Sequence, residues 1–486
     1  MFLRQTSRGA AAAVAGPALF NRLEAAGTSR PAPVAVTGRS DDPLFMSAAK
    51  LAGLIRARKI SSVEAVRLCL GRIEQVNPTL NAVVTLCRER ALAEAAAADA
   101  ALAAGRNTGA LHGVPMTIAD VFDTAGVVST AGTPGRGGFV PEKDATVVAR
   151  LRAAGAILVG KSNTSEFGLG SGSATTNPVF GPTRNPFDPA QGPGGPAGGA
   201  GAIVAAGGAG FDLGSGVEGA LRMAAAANGL AGLKTTCGFC PRTGHILNRG
   251  ALYDSLLQLG PLARRVEDLA LLLPILVGPD GHDAMVSPVP LGDHTAVALK
   301  GLRVAVHTRP APGGSDAVAP EIAEVVRRCA TYFAEAGCQV VEEAPPRTAE
   351  LLEKCQAARG AAGGDDIRRL FKDHGSTADP SRTDELGTEI PSPDYTLALL
   401  EMDGLRSEQL AWVKRFDIVL GPVSAGADSY DITGWPAGVV RAGTSRQSPG
   451  LPLAVQVAGQ PWRDDRVLAA LTFLESRTGG WQKPTL

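Results

Sequence analysis

The sequence predicts an α/β fold with parallel strand pairing and helices packed on the faces of the sheet. Three observations carry that reading. From His112 onward short apolar runs alternate with helical ones: Val147 to Ala153 has helical spacing, and Ala156-Ile157-Leu158-Val159 then reads as a buried strand ending at Gly160. A second unit follows, with Leu302 to Val306, a helical stretch from Glu321 to Ala336, and Gln339 to Glu342. Strands separated by a helix pair in parallel, because the helix carries the chain back along a sheet face. The third observation is composition: 45% hydrophobic and 19% charged residues suit a sizeable core. A length of 486 residues allows two or three domains, or one large α/β domain.

Residues 1–44 read as a flexible or targeting lead, and residues 45–486 as the folded part. Arg4 and Arg8 precede the small apolar run Ala10 to Phe20, and no acid occurs before Glu24. That pattern fits a signal or transit peptide as well as a disordered terminus. Helical spacing starts at Ser47, with Leu51, Leu54 and Ile55 on one face. Ser61 and Glu64 have capping-box spacing before a helix carrying Val66, Leu70 and Ile73, which Pro78 is expected to close. An alanine-rich helix runs from about Cys87 to Ala104. The polar segment Gly360 to Pro393 reads as an irregular excursion, while Asp417 to Leu420 and Leu453 to Val457 read as late strands.

Lys plus Arg and Asp plus Glu both number 47, so no bulk attraction to nucleic acid or an anionic membrane is expected. No run reaches the ~20 apolar residues that span a bilayer. The seven cysteines are scattered and odd in number. Cys237 and Cys240 form a single C-x-x-C, too little for a zinc ribbon even with His245 nearby. No metal or cofactor is expected. The expected partner is a small-molecule ligand or another protein, with no nucleic acid, in an oligomeric state the sequence leaves open. The expected location is the cytoplasm, with N-terminal targeting as the alternative.

The glycines are concentrated between Gly192 and Gly219, which marks a site rather than a linker. One stretch reads Gly194-Gly195-Pro196-Ala197-Gly198-Gly199, and a second reads Leu213-Gly214-Ser215-Gly216-Val217-Glu218-Gly219-Ala220-Leu221-Arg222. Upstream stand Gly113-Val114-Pro115-Met116-Thr117-Ile118-Ala119-Asp120 and Gly155-Ala156-Ile157-Leu158-Val159-Gly160-Lys161-Ser162-Asn163. In order and spacing these blocks resemble those of the amidase signature family of serine hydrolases. The resemblance runs from Leu111 to Thr236, and more loosely from Ser47 to Glu475. It implies one large domain, a mixed and mostly parallel twisted β-sheet flanked by α-helices.

In the resembling enzymes a buried lysine, a serine after a cis peptide bond and a nucleophilic serine run the chemistry. Those positions fall on Ala119, Pro196 and Ala220, none of which has an ionisable atom. The oxyanion-loop positions, expected to bind substrate, are Val217, Glu218 and Gly219; Glu218 stands where a glycine is usual and Gly216 where an acid is. An oxyanion beside Glu218 is opposed by its charge. The expectation is therefore an amidase-fold pseudoenzyme, with an active hydrolase or acyl-transfer enzyme using other residues of the same cleft as the alternative. Ser215, Thr117, Asp120, Glu218, Lys161, His112 and His245 are the nearby groups to weigh for such a role, with Asp120 or Glu218 as the base. The cis geometry implied for the relay position is expected at Gly195–Pro196, since proline lowers its cost to about 0.5–1 kcal/mol.

Overall fold

A computed structural model describes residues 42–170, 172–217, 219–247, 256–308, 318–361, 364–378, 389–423 and 429–486. The expectations for residues 1–41 and Glu218 lie outside this set. The elements begin with α1 (Ala48–Arg56), α2 (Ser62–Leu80), β1 (Val83–Leu86), α3 (Arg88–Ala103), β2 (Pro115–Ala119), α4 (Thr146–Ala153) and β3 (Ile157–Ser162). Next come α5 (Gly198–Ala205), β4 (Phe211–Gly216), α6 (Ala220–Ala227), β5 (Ala231–Lys234), β6 (Gln258–Ala263) and α7 (Val266–Leu276). The later part holds β7 (Arg303–Val306), α8 (Pro320–Glu335), β8 (Gln339–Glu342), α9 (Thr348–Gly360), α10 (Asp365–His374) and α11 (Ser392–Val413). It ends with β9 (Ile418–Pro422), β10 (Ala437–Thr444), β11 (Pro452–Gly459) and α12 (Asp464–Thr478).

Local chemistry sets the helix ends. The Ser47 hydroxyl accepts the Lys50 N–H at 3.1 Å and starts α1. At α2 the capping box is complete: the Glu64 N–H donates to Ser61 Oγ at 3.0 Å, and the Ser61 N–H to Glu64 Oε2 at 2.9 Å. Pro78 does not close this helix. It lies in the last turn, and α2 stops at Asn81, whose φ of 49° is left-handed.

The strands form one sheet in the order β1-β3-β2-β4-β6-β5-β10-β11-β9-β7-β8. The expectation of a mostly parallel sheet is corrected here. Only the pairs β2–β3, β2–β4, β7–β8 and β7–β9 are parallel, and the other six are antiparallel. The two strand–helix–strand units read from the sequence sit in the parallel parts. Between them, β6 enters antiparallel to both β4 and β5, and β10 and β11 form an antiparallel hairpin. The β10–β11 hairpin turns within residues 445–451 and needs no crossover helix, so helix alternation does not report it.

Residues paired across neighbouring strands share a sheet face. Thr117 pairs with Asp212, Asp212 with Leu262, and Ala119 with Ser162, so these residues face the same way. On that side Leu262, Ile157 and Val159 pack with Ile203 and Val204 of α5 and Leu221 and Ala224 of α6. On the other side Met116, Ile118, Leu158 and Leu213 pack with Leu269, Leu272 and Leu273 of α7. The segment expected as an irregular excursion instead contains α10 and the start of α11. Their apolar residues Leu370, Met402 and Leu405 join Ala131, Phe167 and Val217 in a separate cluster above the strand ends.

Candidate active site

β3, β2 and β4 are neighbouring parallel strands, so their carboxyl ends line one edge of the sheet. Such an edge is the usual site for ligands in α/β proteins. Ala119 is the last residue of β2, and Ala220 opens α6 just beyond β4. Pro196 joins them from the glycine loop: its carbonyl accepts the Ser165 N–H at 3.1 Å and the Thr164 hydroxyl at 3.0 Å, both just past β3. The structure thus brings these three positions to one edge.

The loop's shape comes from glycine. Gly194 and Gly195 have φ of 92° and 90°, and both donate to the Ser173 carbonyl at 3.0 Å. A Cβ on Gly194 would lie 2.4 Å from the Met223 carbonyl oxygen. The cis expectation is overturned, since no cis peptide occurs among the described residues and Gly195–Pro196 is trans. Two left-handed glycines in succession supply the reversal.

At the start of α6, Gly219 has φ 85°, and its N–H donates to Asp431 Oδ2 at 2.6 Å. Arg222 reaches the same oxygen at 2.9 Å and Gln456 Oε1 at 2.6 Å. A Cβ on Gly216 would stand 3.0 Å from the Leu221 nitrogen and 3.4 Å from that of Ala220. A side chain there would therefore cover the helix start, which glycine leaves uncovered. Val217 packs in the cluster beneath α9, α10 and α11.

The other candidates separate cleanly. Ser215 and His245 form a pair, with Nε2 2.9 Å from the serine oxygen. The Leu247 N–H donates to Nδ1 at 3.0 Å, so that nitrogen is an acceptor and Nε2 carries the hydrogen. Burial, and secondarily Arg242, pushes the His245 pKa down to about 3. The ring is neutral and has no bare nitrogen left to take the serine proton. It packs edge-on against Phe122 and serves the fold. His112 is similarly committed: Nδ1 accepts the Thr108 N–H at 3.1 Å, and Nε2 donates to the Ala98 carbonyl at 3.2 Å.

Lys161 pairs with Ile118 rather than Ala119 and faces the opposite side of the sheet. Its ammonium is fully buried and donates to the Phe122 carbonyl, Thr124 Oγ1 at 2.9 Å and Ser129 Oγ at 3.3 Å. Burial lowers its pKa, opposed by Asp120 at 3.9 Å. Asp120 in turn accepts from Thr130, and burial raises its own pKa. This network holds the loop after β2. Neither Cys237 nor Cys240 is in a disulfide, and burial pushes the Cys240 thiol up to about 12, away from thiolate chemistry.

Sequence reading missed Asp212. It lies fully buried on β4, on the Ala119 face, and its partners across the strands are apparent only from the register. Burial raises its pKa to about 6, against the Thr117 and Ser162 hydroxyls, which favour the charged form. A single acid inside Gly210-Phe211-Asp212-Leu213 gave no motif to find.

Sheet, glycine loop and strand-end site together define an amidase-type α/β protein. The amidase family model matches residues 64–402, and the chain belongs to that family. It is 32% identical to a glutamyl-tRNA(Gln) amidotransferase subunit of Heliobacterium modesticaldum, over 89% of this chain and 97% of that protein. The Moorella thermoacetica protein of the same name is 33% identical, with the same coverage. Among solved structures, a 6-aminohexanoate cyclic dimer hydrolase complexed with substrate matches with a TM-score of 0.78 at 25% identity, covering 90% of this chain and 97% of that one. The native peptide amidase of Stenotrophomonas maltophilia matches at 0.77 and 26%, covering 90% and 98%.

These findings correct two expectations. The pseudoenzyme reading gives way, because the relatives that match nearly end to end are named as amidotransferases and the matching structures include hydrolases. The exclusion of nucleic acid also falls, because the names of those relatives carry a tRNA. No helix among the described residues is long and apolar enough to cross a membrane.

Proposed function

We propose that this protein acts on amide bonds, as a hydrolase or acyl-transfer enzyme, at the edge formed by β3, β2 and β4. The observation that carries the reading is the meeting of Ala119, Pro196 and Ala220 on that edge, in a chain aligned nearly end to end with amidotransferases. Those three side chains hold no proton and no nucleophile, so other groups of the same cleft run the reaction. Val217, Glu218 and Gly219 form the proposed binding loop. With the Gly219 N–H held by Asp431, the substrate carbonyl is received at the start of α6. The relatives' names favour transfer of an amide nitrogen, with a glutamate carried on tRNA as acceptor. Residues 45–486 act as one domain in this proposal. A cytoplasmic location goes with seven cysteines of which none is in a disulfide.

The test is ammonia release by the purified full-length chain from glutamine, asparagine and aryl carboxamides, with and without glutamyl-tRNA(Gln). Adding hydroxylamine captures acyl transfer as hydroxamate. Release that scales with enzyme concentration is expected. No release from any amide, with or without the tRNA, overturns the reading.

A further inference from the structure

Ser162 on β3 and Asp212 on β4 flank β2 and reach over the same face, where β2 contributes Thr117 and the short side chain of Ala119. Thr117, Ser162 and Asp212 are fully buried, and Ala119 is 2% exposed. The Thr117 and Ser162 hydroxyls lie close enough to the Asp212 carboxyl to favour its charged form, yet none of these four oxygens makes a hydrogen bond of full geometry with any described residue. Four buried polar oxygens left this way are costly in a structural core. They suit a group whose proton moves. The remaining charges nearby are few. β6 and α5 carry no titratable residue, Arg222 of α6 is held by Asp431 and Gln456, and Lys161, though on the opposite face, adds to the two hydroxyls in favouring the charged form of Asp212.

Resting on the amide-acting reading, we infer that Asp212 is the proton acceptor of this site, working through the Ser162 hydroxyl at the end of β3. In the forward step a water oxygen bonds to the amide carbon as its proton passes to Ser162 Oγ, and the Ser162 proton passes to the Asp212 carboxylate. The C–N bond then breaks, and the same proton returns through Ser162 to the departing nitrogen, leaving a carboxylic acid and an amine. Asp212 is a positioning residue in this scheme, and Ser162 meets the reacting water.

Ionised Asp212 is the working form, so the rate should rise with pH through about 6 and then level off. Asp212→Asn should lower kcat by ~10²–10⁴-fold and abolish that limb. An Asn variant that keeps both the rate and the limb overturns the inference while leaving the amide-acting reading in place. If the wild-type chain turns over no amide, the amide-acting reading fails instead, and infrared spectroscopy decides the inference. A carboxylic-acid band should titrate near pH 6, vanish in Asp212→Asn, and titrate at higher pH in Ser162→Ala, which lacks the hydroxyl favouring the charged form. A band that Ser162→Ala leaves unmoved sinks the proton relay.

Discussion

Asp431→Ala should destabilise the protein by about 3–5 kcal/mol, because it strands buried cations. Asp431 is 3% exposed at its side chain. It accepts from Gly219 at 2.6 Å, pairs with Arg222 at 2.9 Å and faces Lys234 at 3.9 Å, with Arg222 and Lys234 1% and 3% exposed. Burial already depresses Lys234 to about 8, and Asp431 opposes that fall while Arg222 adds to it. Without the carboxylate, Lys234 drops further, and below that lowered pKa it and Arg222 are buried like charges opposed chiefly by the weaker influence of Asp464. The depressed lysine binds fewer protons folded than unfolded, so stability rises with pH once the folded group sheds its proton. The variant sheds that proton at lower pH than the wild type. Its deficit should therefore be larger in mildly acidic buffer than at about pH 8. Urea midpoints across that range check the prediction, and a deficit below ~1 kcal/mol throughout would assign the triad no more weight than a surface pair.

The second large effect is expected at Gly260→Ala, at about 3 kcal/mol or more. A Cβ at this position would sit 1.8 Å from the Leu233 carbonyl oxygen, an atom of the β5 backbone. Backbone in the middle of a sheet cannot rotate away as a side chain can, so β5 and β6 would have to spread. Gly214, paired with Gly260 across β4 and β6, is the control. Its Cβ would meet Leu262 Cδ1 at 2.6 Å and the Leu221 side chain at 3.5 Å, both able to repack. Gly214→Ala should cost roughly 1 kcal/mol. Thermal melts of the two variants compare them directly, and equal losses would refute the distinction between backbone and side-chain obstruction.

Local signals account for what could be read along the chain. The Ser61–Glu64 capping box and the runs Leu302–Val306 and Gln339–Glu342 became elements within a residue or so of their expected limits, because caps and periodicity act within a few residues. Strand direction did not follow, since β6 and β10 take places set by contacts distant in sequence. Helix α10 and the start of α11 were hidden in a polar stretch because the apolar residues of these helices serve a small separate cluster rather than the main core. At the proposed site, the sequence blocks singled out Ala119, Pro196 and Ala220, which the fold brings to one sheet edge, whereas Asp212 became visible only through its pairing with Thr117. A lone acid carries no spacing of its own. The trans bond at Pro196 was likewise illegible, because Gly194 and Gly195 offered a second way to turn the chain.

The seat of β10 has a consequence for how the protein is made. It pairs with β5 through Ala437–Lys234, Gly438–Leu233 and Val439–Gly232, so β5 gains this neighbour only after about 200 further residues have emerged, roughly 10–40 s at ordinary rates of synthesis. Throughout that interval an apolar strand with unpaired backbone groups stands open on the ribosome, a template for the wrong partner. Any shortened product ending before Ala437 keeps that edge permanently. Such fragments should collect in aggregates or on chaperones, while the full-length chain closes the gap with its own hairpin.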